Sequence, residues 1–250
     1  CERYFWALSM APTIQPHILE ELQELVKTKH RDNKLWKTII LTMAAAVNKY
    51  ASHEEHSDKI VAQTVHLLRN EFKKCKGDEQ CQEIYIKALS NIHNEKTIPV
   101  LLKIIDTAPK KSVARAMKGI SKINPELWNK DVVRVAEEVL QSSKTYDSSA
   151  RIFALDILLR SKPSLVLLSR IVSILKQADK SRELKEYLLQ RLVELSEGNN
   201  IFKKLWKQIY IENGYNNYDT LGQGGLSTAF SRSFMPNGTL STSQEIVGGV

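Results

Sequence analysis

Residues 85–105 read YIKALSNIHNEKTIPVLLKII. Tyr85, Ala88, Leu89 and Ile92 fall at i, i+3, i+4 and i+7, and Ile98, Leu101, Leu102 and Ile105 repeat that spacing. Such a period puts all four residues of each set on one side of an α-helix, so each half is amphipathic with a single apolar stripe. Between the stripes, Asn94 can accept a backbone N–H as an N-cap. Pro99 is tolerated in a first turn, where N–H groups lack helical partners in any case. The stretch is therefore a helical hairpin with a short turn. One hairpin alone leaves both stripes in water, so it has to stack on others built the same way.

The same pattern extends in both directions. Upstream it predicts helices over 16–27, 33–50 and 57–74, the last capped by Ser57. Residues 1–12 look like the end of a helix, broken by Pro12 and Pro16. Downstream it predicts helices over 112–123, 130–141, 148–160, 164–178, 181–195 and 200–211. Their starts recur about every 14–20 residues, and a pair makes a unit of about 34, the mark of an α-solenoid. The Trp, Gly and Ala signature of tetratricopeptide repeats is absent. The expected fold is all-α: a two-layer superhelix of helical hairpins over 1–212. After Asn213-Gly214 glycine, serine and threonine rise and lysine nearly vanishes. A linker over 213–226 is expected there, then the first strands of a β-region over 227–250, with Pro236-Asn237-Gly238 as a turn.

Composition narrows the function. Of 250 residues, 42% are hydrophobic and 26% charged, an ordinary globular balance. The net charge of +8 permits acidic partners. Lysine and arginine are nevertheless spread over every helix beside glutamate and aspartate, which predicts solvated faces and no nucleic-acid site. No apolar run approaches the roughly 20 residues of a membrane span. A start at Cys1 and an apolar end at Val250 suggest an internal segment of a longer protein.

Candidate chemistry is sparse. His53-Glu54-Glu55-His56 is one residue short of the spacing that sets two histidines on one helix face, and it falls at an expected turn, so a solvated loop is predicted instead of a metal site. Gly222-Gln223-Gly224-Gly225 has neither a preceding strand nor a phosphate-binding Lys-Ser/Thr after it. No nucleophile has a base that the sequence identifies. No catalytic residue, metal or cofactor is expected, and the protein is read as not an enzyme.

Three features are sharper. Cys75 and Cys81 flank a turn in which Gly77 closes one helix and Asp78 opens the next; they can lie close enough for a disulfide or remain two free thiols. Arg151 has Ala154, Leu155 and Leu158 at i+3, i+4 and i+7, a face destined for burial, so its guanidinium needs a carboxylate or carbonyl partner. In a stack of hairpins helix n lies beside helix n+2, which brings Glu183 to Arg151 as an interhelical ion pair. Asn237-Gly238-Thr239 is a glycosylation acceptor in a secretory protein.

The hairpin of 85–105 resembles the helical domain of the large lipid transfer proteins, the superfamily of the vitellogenins, apolipoprotein B and the microsomal triglyceride transfer proteins. Further support comes from Ser149-Ala150-Arg151 leading an apolar helix that ends Lys162-Pro163-Ser164, from Glu183-Leu184-Lys185-Glu186-Tyr187-Leu188, and from Phe202-Lys203-Lys204-Leu205 before an Asn/Tyr-rich exit. The likeness runs from about Leu25 to Phe234 and is nearest to the triglyceride-transfer branch. It departs at the cysteines: the vertebrate pattern places a pair near Ala51 to His56, where this chain has none. The family's Arg–Glu interhelical pair falls on Arg151 and Glu183. The resemblance implies a helical scaffold wrapped around lipid-holding β-sheets that lie mostly beyond Val250. It also implies residence in the endoplasmic reticulum lumen, transfer of triglyceride and phospholipid to nascent lipoprotein, and protein disulfide isomerase docked over roughly 130–210. The rival reading is a HEAT- or armadillo-like protein-binding adaptor.

Overall fold

A computed structural model describes residues 2–28, 34–53, 58–176, 181–213, 227–233 and 241–247. Its elements, in order, are α1 (Glu2–Met10), α2 (Pro16–Thr28), α3 (Trp36–His53), α4 (Asp58–Lys74), α5 (Glu79–Asn91), α6 (Ile98–Thr107), α7 (Lys110–Ser121), α8 (Lys130–Gln141), α9 (Ser148–Arg160), α10 (Leu165–Lys176), α11 (Arg182–Gly198), α12 (Asn200–Asn213), β1 (Ser227–Ser233) and β2 (Ser241–Val247). The chain divides into two compact units, 1–163 and 164–250.

In the first unit α1, α3, α5, α7 and α9 stack in succession as one layer, and α2, α4, α6 and α8 form a second. Each odd-numbered helix thus meets the one two along, and α3, α5, α7 and α9 each pack on the even-numbered helix before them, the arrangement of a two-layer superhelix. The odd-numbered layer is the tighter. At Gly119 a Cβ would lie 2.7 Å from the Ser90 Cβ and 2.8 Å from its Cα, so α5 and α7 touch backbone to backbone there. Ser90 Oγ also donates to the Arg115 carbonyl across that contact at 3.1 Å. The indole of Trp36 and the ring of Tyr85 meet edge to face at 5.8 Å between α3 and α5. Between α2 and α4, Gln23 Nε2 donates to Thr64 Oγ1 at 2.9 Å, which satisfies a polar pair inside an apolar layer.

The founding hairpin forms with two adjustments. Asn94 does cap, accepting from Lys96 N at 3.0 Å, but what it caps is a 3-10 turn, Glu95–Thr97. α6 starts after it at Ile98 with Pro99 in its first turn. The apolar face of α6 is also rotated: Ile98, Leu101, Ile104 and Ile105 are buried, whereas Leu102 is half-exposed. The intervening turn re-aims the helix, and the spacing alone could not register that. His93, at φ 51°, supplies the left-handed residue that reverses the chain.

At α5, α8 and α9 a short polar side chain satisfies an orphan N–H at the helix start. Asp78, Asn129 and Asp147 accept from Cys81, Val132 and Ala150 at the heads of α5, α8 and α9. Gly77 takes φ +87° before α5, as its place at the end of α4 requires. α3 runs three residues beyond the expected end, through His53. Lys162 adopts φ 54° after α9, and with Pro163 it ends the first unit. That division falls inside the region expected to be a single helical domain.

In the second unit α11 packs on α12 and β1 runs beside α11. β1 and β2 pair antiparallel, from Ser227 opposite Val247 to Ser233 opposite Ser241.

Candidate functional site

The most elaborate polar chemistry among the described residues gathers around α9. This helix is buried on nearly every side: Ala150, Arg151, Ala154, Leu155, Ile157, Leu158 and Leu159 are all inside. Arg151 is only 3% exposed, which leaves no route for its guanidinium to reach water by extending along the surface. Its Nε donates to the Leu140 carbonyl at 2.8 Å. Leu140 lies in the last turn of α8, where carbonyls lack intrahelical partners and carry the negative end of the helix dipole. Glu183 occupies the first turn of α11 in the second unit, half-exposed, behind the Ser181 cap that accepts from Leu184 N at 3.4 Å. A carboxylate there is favoured by the positive end of its own helix.

At the far end of α9 a second arginine repeats the device. Arg160 Nη1 donates to the Ser121 carbonyl, in the last turn of α7, and lies 3.2 Å from Asp156 Oδ2. Its guanidinium sits 5.2 Å from the ring centre of Trp128, whose Nε1 donates to the Ile120 carbonyl at 3.2 Å. Two adjacent carbonyls of the α7 end are thus answered by Arg160 and Trp128. Nothing in the sequence singled out this cluster. The only signal was Asp156 four residues before Arg160, a spacing common to surface pairs.

The two cysteines come together. Cys75 and Cys81 form a disulfide across the α4–α5 turn, with Cα atoms 5.6 Å apart. Both are buried, at 0% and 2% exposure, so the bridge is shielded from solvent reductants. Of the remaining candidates, His53 is the last residue of α3. Glu54, Glu55, His56, Ser57, the glycines at 222, 224 and 225, and Asn237 lie outside the described residues. Among the described residues no group of three His, Cys, Asp or Glu could hold a metal ion, and no helix is long and apolar enough to cross a membrane. A groove of 490 Å³ opens between α1 and α3, walled by Trp6, Leu41 and Ala45 with Arg3 and Lys37 at its rim.

Residues 2–192 match the family model described as the Vitellogenin TPR domain. The chain belongs to that family. Despite the family's label, its helices here carry no Trp, Gly and Ala tetratricopeptide signature. Over its whole length the chain is 31% identical to the "Microsomal triacylglycerol transfer protein" of Drosophila melanogaster, of which it covers 28%. Over 92% of its length it is 21% identical to the "Microsomal triglyceride transfer protein" of Megalobrama amblycephala, covering 26% of that protein. The chain thus spans little more than a quarter of the curated relatives it matches. It is a helical superhelix of the large lipid transfer superfamily, and the relatives that carry it are named for lipid transfer.

Proposed function

We propose that this chain is the helical scaffold and partner-docking domain of a lipid transfer protein that moves triglyceride and phospholipid during lipoprotein assembly. The observation that carries this reading is the family match over residues 2–192, on a unit whose helices stack in two layers. Every helix from α2 to α9 buries apolar side chains in the first unit, which suits a frame. The lipid itself is held mainly by other parts of the protein. The working compartment is the endoplasmic reticulum lumen, where a Cys75–Cys81 bridge persists because the milieu is oxidising. Protein disulfide isomerase is the expected protein partner, docked on the later helices, and nascent lipoprotein is the acceptor. The Arg151–Glu183 ion pair belongs to the same proposal, as the tie between neighbouring repeats.

The direct test is transfer of fluorescent triolein from donor to acceptor vesicles by the intact protein isolated from its source. Transfer above the protein-free rate is expected. A rate equal to the protein-free control, in a preparation whose peptide map contains the linked Cys75–Cys81 peptide, would sink the reading. The same map separates the two classes of function: free thiols at both positions would favour a cytosolic adaptor built on the same helices.

A further inference from the structure

We draw no further inference here: the strongest candidate, the groove between α1 and α3 walled by Trp6, Leu41 and Ala45, is an unpartnered apolar face on the first helix of the stack, and nothing in the structure shows what covers it.

Discussion

The α3–α5 junction and the α7–α9 junction join neighbouring hairpins in the same layer, yet they are built from different materials. At the first, Trp36 and Tyr85 meet edge to face, and Met43, Ala44, Val47, Ala88 and Leu89 are fully buried. The covalent disulfide lies just beyond, at the head of α5. At the second, half-buried Arg160 and the Trp128 indole N–H bind carbonyls of α7, while buried Arg151 binds one of α8 from the other end of α9. The difference follows from what each junction covers. α9 closes over the C-terminal ends of α7 and α8, whose last carbonyls have no helical partner and lose water when α9 arrives. Arg151 and Arg160 replace that water. An apolar side chain at either place would fit the volume and leave a carbonyl unsatisfied, at a cost of about 1–3 kcal/mol.

The largest expected effect therefore falls on the arginine-held junction. Arg151→Met keeps the length and removes every donor, stranding the Leu140 carbonyl. A loss of about 3 kcal/mol in chemical denaturation is expected from the buried carbonyl left without its charged donor. Glu183→Gln decides how much of this belongs to the carboxylate. With the pair present, the double variant loses no more than Arg151→Met alone, because that change has already removed the interaction that Glu183→Gln breaks. An unchanged unfolding midpoint for Glu183→Gln would remove the pair and leave the Leu140 carbonyl as the observed partner of Arg151.

The staple near the apolar junction comes next. Replacing Cys75 and Cys81 together by alanine opens a short loop, which on the chain-entropy model costs roughly 2 kcal/mol. The wild type under reductant and the double variant should unfold at the same midpoint, both below the oxidised protein. If reduction leaves the midpoint where it was, the apolar contacts alone hold this end, and the contrast between the two junctions sharpens.

Much of this plan was legible in the sequence because it rests on periodicity. The stripe through Tyr85, Ala88 and Leu89 and the apolar surroundings of Arg151 need only a helix and a core, and both residues sets are buried. Asp78 and Gly77 follow from local rules about helix ends, and they sit where those rules put them. What the sequence left out is set by the relation between helices. The rotation of α6 that buries Ile104 in place of Leu102 depends on a three-residue turn between Asn94 and Ile98. The Arg160–Trp128 cluster joins α9 and Trp128, which follows the 3-10 turn Pro125–Leu127, to carbonyls of α7, and no spacing rule connects positions 120, 121, 128 and 160. The contact of Gly119 with Ser90 depends on which turns of α5 and α7 fall side by side.

A smaller effect is expected at Arg160, where part of the cluster faces solvent. Arg160→Lys keeps the charge beside Asp156 but loses the planar stack on Trp128. About 1 kcal/mol of stability should be lost, with a change in tryptophan fluorescence as the ring is uncovered. Trp128→Phe should lose a similar amount by freeing the Ile120 carbonyl, and the two changes together should cost less than their sum. Full additivity would mean that the stack contributes nothing and that each group acts only through its own carbonyl.

The smallest effect concerns the turn that leads out of the apolar half. His93 Nδ1 lies 3.4 Å from Asn48 Nδ2, and burial together with the nearby Lys122 ammonium holds its pKa below the ordinary value of 6.5. The folded state thus prefers the neutral ring more than the unfolded chain does. Between the two pKa values the unfolded chain binds more protons, so stability rises with pH there. The contribution is fully present above about pH 6.5 and is lost as the pH falls through the folded-state value. His93→Asn tolerates the left-handed backbone and removes the titration. The melting temperature of the variant should fall less than that of the wild type between pH 7.5 and pH 5. Lys122→Gln should retain part of the wild-type sensitivity, since burial is the larger cause and survives the change. Equal acid sensitivity in wild type and His93→Asn would place the acid response elsewhere and leave the α5–α6 turn indifferent to pH.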